Sequence, residues 1–254
     1  MTFKPFGRPA QAQDTVSLPV IGRIHSPLTE KFGVPRQPGL VGVQAMIELF
    51  PPYDDPLAVA GLEAFSHLWV IWQFHQNRSE IDLDGVAFRP LIRPPRLGGN
   101  TKIGVFASRS MYRPAPLGLS VVRLISITTE ANRTRLIIEG CDMVDGTPII
   151  DIKPYLAYVD AVPDARSSYA QTAPQTLTVY WSEAARQQAR ELGLLEPQCE
   201  MIAALLAQDP RPAYQDDDRL YGMRFAQVNV RFRVEAQTAS IVALERAVTD
   251  NSGN

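Results

Sequence analysis

Cysteine is nearly absent from this chain: Cys141 and Cys199 are the only two in 254 residues, and they lie far apart. That excludes a disulfide framework and a cysteine-ligated zinc site, and both read as ordinary buried thiols. Histidine is almost as sparse. His25, His67 and His75 show no i, i+4 spacing, so no metal site is expected, and His67 and His75 fall in an apolar stretch where satisfied core histidines are usual. No apolar run approaches the roughly 18 residues of a membrane helix. The first twenty residues, MTFKPFGRPAQAQDTVSLPV, hold Gln, Asp and Pro where a signal peptide would be apolar. The expectation is a cytoplasmic protein with a flexible tail over residues 1–17. Neither GxxxxGK[ST] nor GxGxxG occurs, which removes the phosphate loop and the Rossmann dinucleotide motif. Glu139-Gly140-Cys141-Asp142 has the acidic-Gly pairing of Rossmann methyltransferases, but no further glycines or βαβ pattern surround it.

Acidic residues are missing locally. The net charge is −2, yet Gly85 to Arg123 carries Arg89, Arg93, Arg96, Lys102, Arg109, Arg113 and Arg123 with no Asp or Glu between them. Such a window predicts a local anion-binding surface on a near-neutral protein. A solvated basic face paired with acids elsewhere is the competing reading.

What is present is mostly short, punctuated strand pattern. Val16–Leu28 reads as a strand ending at Ser26-Pro27, and Lys31–Gly42 as a Pro/Gly-rich loop. Gln44–Leu49 reads as a strand, Asp55–Leu62 as a short helix or turns, and His67–His75 as a buried strand. A polar loop follows over Gln76–Gly85, then a strand over Val86–Pro95 cut off by Pro94 and Pro95. Leu119–Thr128 and Thr134–Glu139 are further strands, and an extended run follows the Asp145-Gly146 turn. The sum predicts a mainly β fold, an antiparallel β-barrel or sandwich, over residues 18–165. After Tyr169 the period changes. Ser182–Gln198 has helical spacing, Glu200–Ala207 suggests a second helix, and Val228–Val234 and Ile241–Ala247 read as strands. A smaller C-terminal α+β domain is therefore expected over residues 170–247, after a Ser/Ala/Gln/Pro linker at 163–176. The terminal DNSGN is expected to be disordered.

Three segments carry more stiffness and charge than turns need. In Val34-Pro-Arg-Gln-Pro-Gly-Leu two prolines set φ and Gly39 frees it, so Arg36 and Gln37 are presented rigidly, unless the loop is only a turn. In VFASRSMYRPAPLGLS (Val105–Ser120), Arg109 and Arg113 suit a carboxylate or phosphate. Pro114 and Pro116 stiffen the chain there, and Gly118 permits a close approach. In Asp145-Gly-Thr-Pro-Ile-Ile-Asp-Ile-Lys-Pro-Tyr, the odd positions Asp145, Asp151, Lys153 and Tyr155 are expected on one face, with an Asp151–Lys153 salt bridge as the structural alternative.

Together these segments resemble the TrmO (TsaA-like) family of S-adenosylmethionine-dependent tRNA methyltransferases, over roughly residues 18–165. RPPRLGG and GLEAFSHLW belong to the same resemblance, and AQDPRPAY is similar to the extra domain of bacterial members. Ala115 departs from the family, which more often has Asn there. The resemblance implies a single β-barrel, a homodimer, and methylation of the exocyclic nitrogen of threonylcarbamoyl-adenosine beside the anticodon of threonine tRNAs. It implies cofactor contacts at Arg36, Gln37, Pro38, Gln76, Asn77, Arg109, Leu119, Glu139, Gly140, Cys141 and Asp142. A base or polarising hydrogen bond would assist the weakly nucleophilic nitrogen. Asp145 is the first candidate, with Lys153 or Tyr155 orienting the substrate. Arg113 and Tyr112 are candidate RNA contacts, as are Arg211 and Tyr214, in a loop expected to reach the barrel. A barrel lacking residues 170–254 is expected to keep cofactor binding. The alternative class is a non-catalytic cofactor- or RNA-binding regulatory module.

Overall fold

The computed structural model describes residues 16–76, 90–94, 97, 100–130, 133–212 and 219–247. Asn77, Tyr214, Arg89, Arg96, most of the 1–17 tail, most of the Gln76–Gly85 loop, the first part of the Val86–Pro95 strand and the DNSGN end lie outside the described residues.

Six strands close into a barrel. They are β1 (Gly22–His25), β2 (Gln44–Leu49), β3 (His67–Gln73), β6 (Leu117–Glu130), β7 (Arg133–Glu139) and β8 (Pro148–Pro154), in the order β1-β2-β7-β6-β3-β8 with antiparallel neighbours. Between β3 and β6 stand two minor strands, β4 (Leu91–Ile92) and β5 (Ile103–Gly104). Alternation decides which side chains fill the barrel. In β3, Leu68, Val70 and Trp72 point in; in β7, Thr134, Leu136 and Ile138 do. The β-branched and aromatic residues suit this pleated, half-buried surface. The expected antiparallel barrel is borne out. The first strand is shorter than expected, four residues, because Pro19 cannot donate to a ladder.

Beyond the barrel, α1 (Ala157–Asp160) is a single turn. A second layer contains β9 (Thr178–Trp181), α2 (Glu183–Glu191), α3 (Glu196–Ala207), β10 (Tyr221–Phe225), β11 (Val228–Glu235) and β12 (Thr238–Arg246). Its sheet order is β10-β11-β12-β9, with β9 parallel to β12. Ala185, Ala189, Ile202 and Leu205 bury the helices in one core with Val230, Phe232 and Ile241. Ser182 caps α2 by accepting from the Ala185 amide at 3.1 Å.

The two layers join at the Pro/Gly-rich loop after β1. The free edge of β10 would expose unpaired amides. Instead, Arg224 N donates to Glu30 Oε1 at 2.9 Å and Ala226 N to the Pro27 carbonyl at 2.7 Å. Phe32 stacks on Tyr221 and on Phe232, each at 6.3 Å between ring centroids. Gly33 has φ +90, and a Cβ there would lie 2.4 Å from Met223 Sδ, so this approach requires glycine.

Candidate functional site

The register gathers the chemistry at one end of the barrel. β1, β3 and β7 finish there, and β2, β6 and β8 begin there. The connections Ser26–Val43, Phe74–Pro116 and Gly140–Thr147 therefore share that end.

Inside this end, Gly118 of β6 stands opposite Trp72 of β3. A Cβ on Gly118 would fall 2.2 Å from the indole Cε2, so what approaches Gly118 closely is the Trp72 ring. The indole Nε1 donates to Ser120 Oγ at 2.9 Å, and Ser120 Oγ donates to Asp142 Oδ1 at 2.6 Å. Phe74 meets the Trp72 ring edge-on at 4.4 Å. Above them the stiff segment is held by its own serines: Ser108 Oγ donates to the Val105 carbonyl at 2.8 Å and Arg113 Nη1 to the Ser108 carbonyl at 3.0 Å. Pro116 lacks an amide, but its carbonyl accepts from Phe74 N at 2.9 Å and starts the β6 ladder. Arg109 Nη1 donates to Gln37 Oε1 at 2.5 Å. The Gln37 loop is stitched to the β7 exit by Gly39 N donating to the Gly140 carbonyl at 3.0 Å.

Burial pushes the Asp142 carboxyl up from 3.8 to about 6, against the Ser120 hydrogen bond, its own amide and the Arg109 charge, which pull it down. Burial also pushes the Cys141 thiol up to about 12, so Cys141 stays protonated and unreactive. The site thus offers one buried carboxylate near its working range, one guanidinium and an aromatic wall.

The chain matches the tRNA-methyltransferase O N-terminal domain over residues 23–161 and the TrmO C-terminal domain over residues 174–247. It is 45% identical over 231 residues to a tRNA (adenine(37)-N6)-methyltransferase of Escherichia coli, covering 89% of this chain and 96% of that one. It is 47% identical over 223 residues to a putative S-adenosylmethionine-dependent methyltransferase of Pseudomonas aeruginosa, covering 86% and 92%. A crystal structure of TrmO from Pseudomonas aeruginosa superimposes with a TM-score of 0.74 at 39% identity, covering 93% of this chain and 99% of that one.

The chain belongs to the tRNA-methyltransferase O family.

Within this TrmO-family barrel the expected cofactor residues divide. Gln37, Arg109 and Asp142 converge, with Pro38, Gly140 and Cys141 shaping the backbone beside them. Arg36 turns away and donates through Nη2 to the carbonyls of Asp209 (3.2 Å) and Arg211 (2.9 Å). Leu119 is 52% exposed and lies on the opposite face of β6 from Ser120. Glu139 also faces outward and pairs with Arg123 at 3.6 Å. Gln76 is exposed just beyond β3.

The three expected catalytic side chains are not brought together. Asp145 is pinned, its Oδ1 accepting from Ser26 N at 2.9 Å. Lys153 forms the 2.7 Å ion pair with Asp151, and Tyr155 packs on Trp69 and His67. Tyr155 sits at the His67 end of β3 and Lys153 opposite Trp69; at about 3.3 Å per residue they lie roughly 16 and 10 Å from Trp72. The Gly146 turn separates Asp145 from this run, so the single face expected for all four residues does not form. Arg211 is 8% exposed and its guanidinium grips the Asp209 carboxylate at 2.9 and 3.0 Å. Tyr112 is exposed beside Arg113.

Trp72 and Ser120 escaped the sequence reading. Their signal was Ser120 occupying an inward position between Gly118 and Val122, where a barrel interior normally takes an apolar residue.

Proposed function

We propose that this chain transfers a methyl group from S-adenosylmethionine to N6 of adenosine 37 in tRNA, with threonylcarbamoyl-adenosine of threonine tRNA as the target nucleoside. One observation carries the reading: beside a family membership that spans both layers, the polar cluster Gln37–Arg109 over Trp72–Ser120–Asp142 suits a cationic cofactor. Asp142 is held on Oδ1 by a neutral hydroxyl, and among the described residues Arg109 is the cation drawing on it. A further positive group is therefore taken up at low cost beside a carboxylate and an indole face. Gln37 and Arg109 fix the loops that would close over it. When bound, the cofactor supplies an electrophilic methyl on sulfur. The protein aligns the nucleophile with it and removes water.

RNA contacts are proposed along the acid-free window. Arg93, Lys102 and Arg109 are exposed there, alongside Phe106 and Tyr112; cations meet phosphates and aromatics stack unpaired bases. A homodimer is also proposed. Tyr158 (85% exposed), Val159 and Val162 leave apolar surface beside α1 that a second copy would cover, and a Tyr158→Glu variant should sediment as a monomer.

The test is labelled S-adenosylmethionine incubated with tRNA from a strain lacking the enzyme. Label appearing in threonine tRNA at the modified adenosine supports the reading. Cofactor binding with no label in any tRNA would instead favour the regulatory binding module.

A further inference from the structure

We infer that Asp142 is the proton acceptor of the methyl transfer, presented by the Trp72–Ser120 relay; this rests on the reading just proposed. The relay sets one oxygen only. Ser120 must spend its single proton on Asp142 Oδ1 because its own oxygen is already occupied by the Trp72 Nε1 donor at 2.9 Å. That fixes the hydroxyl rotor and the carboxylate plane. Among the described residues no other side chain donates to Asp142, so Oδ2 is the edge turned to an incoming N–H. The indole is locked over Gly118, which makes the relay rigid in the way a positioned base requires. The half-buried Asp209 carboxylate meets the cation fork of Arg211 at 2.9 and 3.0 Å. Asp142 meets a hydroxyl instead, and Arg109 is turned to Gln37.

The step balances. The exocyclic nitrogen forms its bond to the methyl carbon while the carbon–sulfur bond breaks, its electron pair going to sulfur as a neutral thioether. The N–H proton passes to Asp142 Oδ2, its bonding pair staying on nitrogen. A carboxylate, a sulfonium and an N–H become a carboxylic acid, a thioether and an N-methyl group.

The groups facing Asp142 are Ser120 from β6, Trp72 from β3, Arg109 from the stiff loop and Cys141 beside it; Gln37 meets Arg109. Cys141, pushed up to about 12, stays protonated through neutrality. His75, at 3.4 Å from Thr147, shares this end of the barrel, so an acid limb between pH 5 and 7 is assigned to Asp142 by its movement in Ser120→Ala. The Asp142 carboxyl lies at about 6.

The test uses the full chain, wild-type and as Asp142→Asn and Ser120→Ala. Calorimetry measures S-adenosylmethionine affinity, single-turnover assays measure transfer, and carbon NMR of labelled aspartate follows the carboxyl in the apo protein. Asp142→Asn should lose on the order of 100-fold or more in rate at saturating cofactor, well beyond the fall in cofactor affinity that follows from removing the carboxylate. Ser120→Ala should shift both the carboxyl titration and the acid limb upward together, since the bond removed favours the charged form. Transfer within three-fold of wild type in Asp142→Asn overturns the inference. So does an equal loss of affinity and rate, which would make Asp142 a cofactor anchor, or an acid limb that stays put in Ser120→Ala. If Asp142→Asn fails to fold, the Ser120→Ala limb decides alone. Absence of transfer by the wild-type chain would defeat the functional reading itself, a different outcome from any of these.

Discussion

At the scale of single residues the site is under tension. Asp142 protonates more readily in the folded chain than in the unfolded one, since burial lifts it from 3.8 to about 6. Its contribution to folding is therefore fully present below pH 4 and is lost as pH rises through about 6; at neutral pH the charge opposes folding. The rise corresponds to roughly 3 kcal/mol as an upper limit. Asp142→Asn should accordingly stabilise the apo protein at pH 8 by about 1–3 kcal/mol in urea denaturation, with the gain fading between pH 6 and 4. An equal gain at pH 4 and pH 8 would show that charge burial is not its source. Gly118→Ala acts in the opposite direction. Its methyl meets the Trp72 ring at 2.2 Å, so the indole must leave Ser120. Lower stability by about 1–3 kcal/mol and a changed tryptophan fluorescence are expected. Arg109, Gln37 and Asp142 were legible from the sequence because family-like loops carry them. Trp72 and Ser120 were not, because a tryptophan and a serine inside strand patterns look like ordinary core and turn chemistry until the register sets them in line.

At the scale of elements, long alternating strands were legible and short ones were not. β3 and β7 alternate over seven residues each, enough for the period to stand out. β9 is four residues long, and β10 contains Gly222 and Arg224, so neither signalled itself. The loop between β1 and β2 was legible as rigid, but its anchor was not. Arg36 is placed by carbonyls from Asp209 and Arg211, and Asp209 itself holds φ 46 with both carboxylate oxygens on Arg211. The buried Arg211 thus shapes the loop that receives Arg36. Asp209→Ala removes the carboxylate partner of a guanidinium that is 8% exposed, which should cost about 2 kcal/mol or more. Because Gln37 follows Arg36 directly, cofactor affinity should also fall, by roughly five- to tenfold on the order of 1 kcal/mol. Unchanged calorimetric affinity in a folded Asp209→Ala variant would separate the Arg36 anchor from the site.

At the scale of the whole molecule, the change of period after Tyr169 announced a second layer, while its attachment depended on pairings distant in sequence. Phe32 to Tyr221, Gly33 to Met223 and Glu30 to Arg224 span about three quarters of the chain. No local pattern encodes them. They bear on the expectation that the barrel alone keeps cofactor binding. Six strands close the barrel without help from the C-terminal sheet, so deleting residues 170–254 should leave it folded. Yet the deletion strips the Pro27–Arg36 loop of the β10 edge, the aromatic stack and both carbonyls that hold Arg36. What remains is the Asp145–Leu28 hydrogen bond with buried Leu28 at the start of the loop, Arg109 on Gln37, and the Gly39–Gly140 hydrogen bond with buried Val41 and Val43 beyond it. Freed between Leu28 and Gln37, about eight residues, the loop regains conformational entropy that binding must then remove, at about 1 kcal/mol or more per residue re-ordered. The truncated barrel should therefore bind S-adenosylmethionine at least tenfold more weakly than the full chain, with rapid amide exchange confined to residues 29–36. Affinity equal to that of the full chain, with that segment still protected, would mean that the barrel orders its own loop and that the C-terminal layer serves the RNA alone.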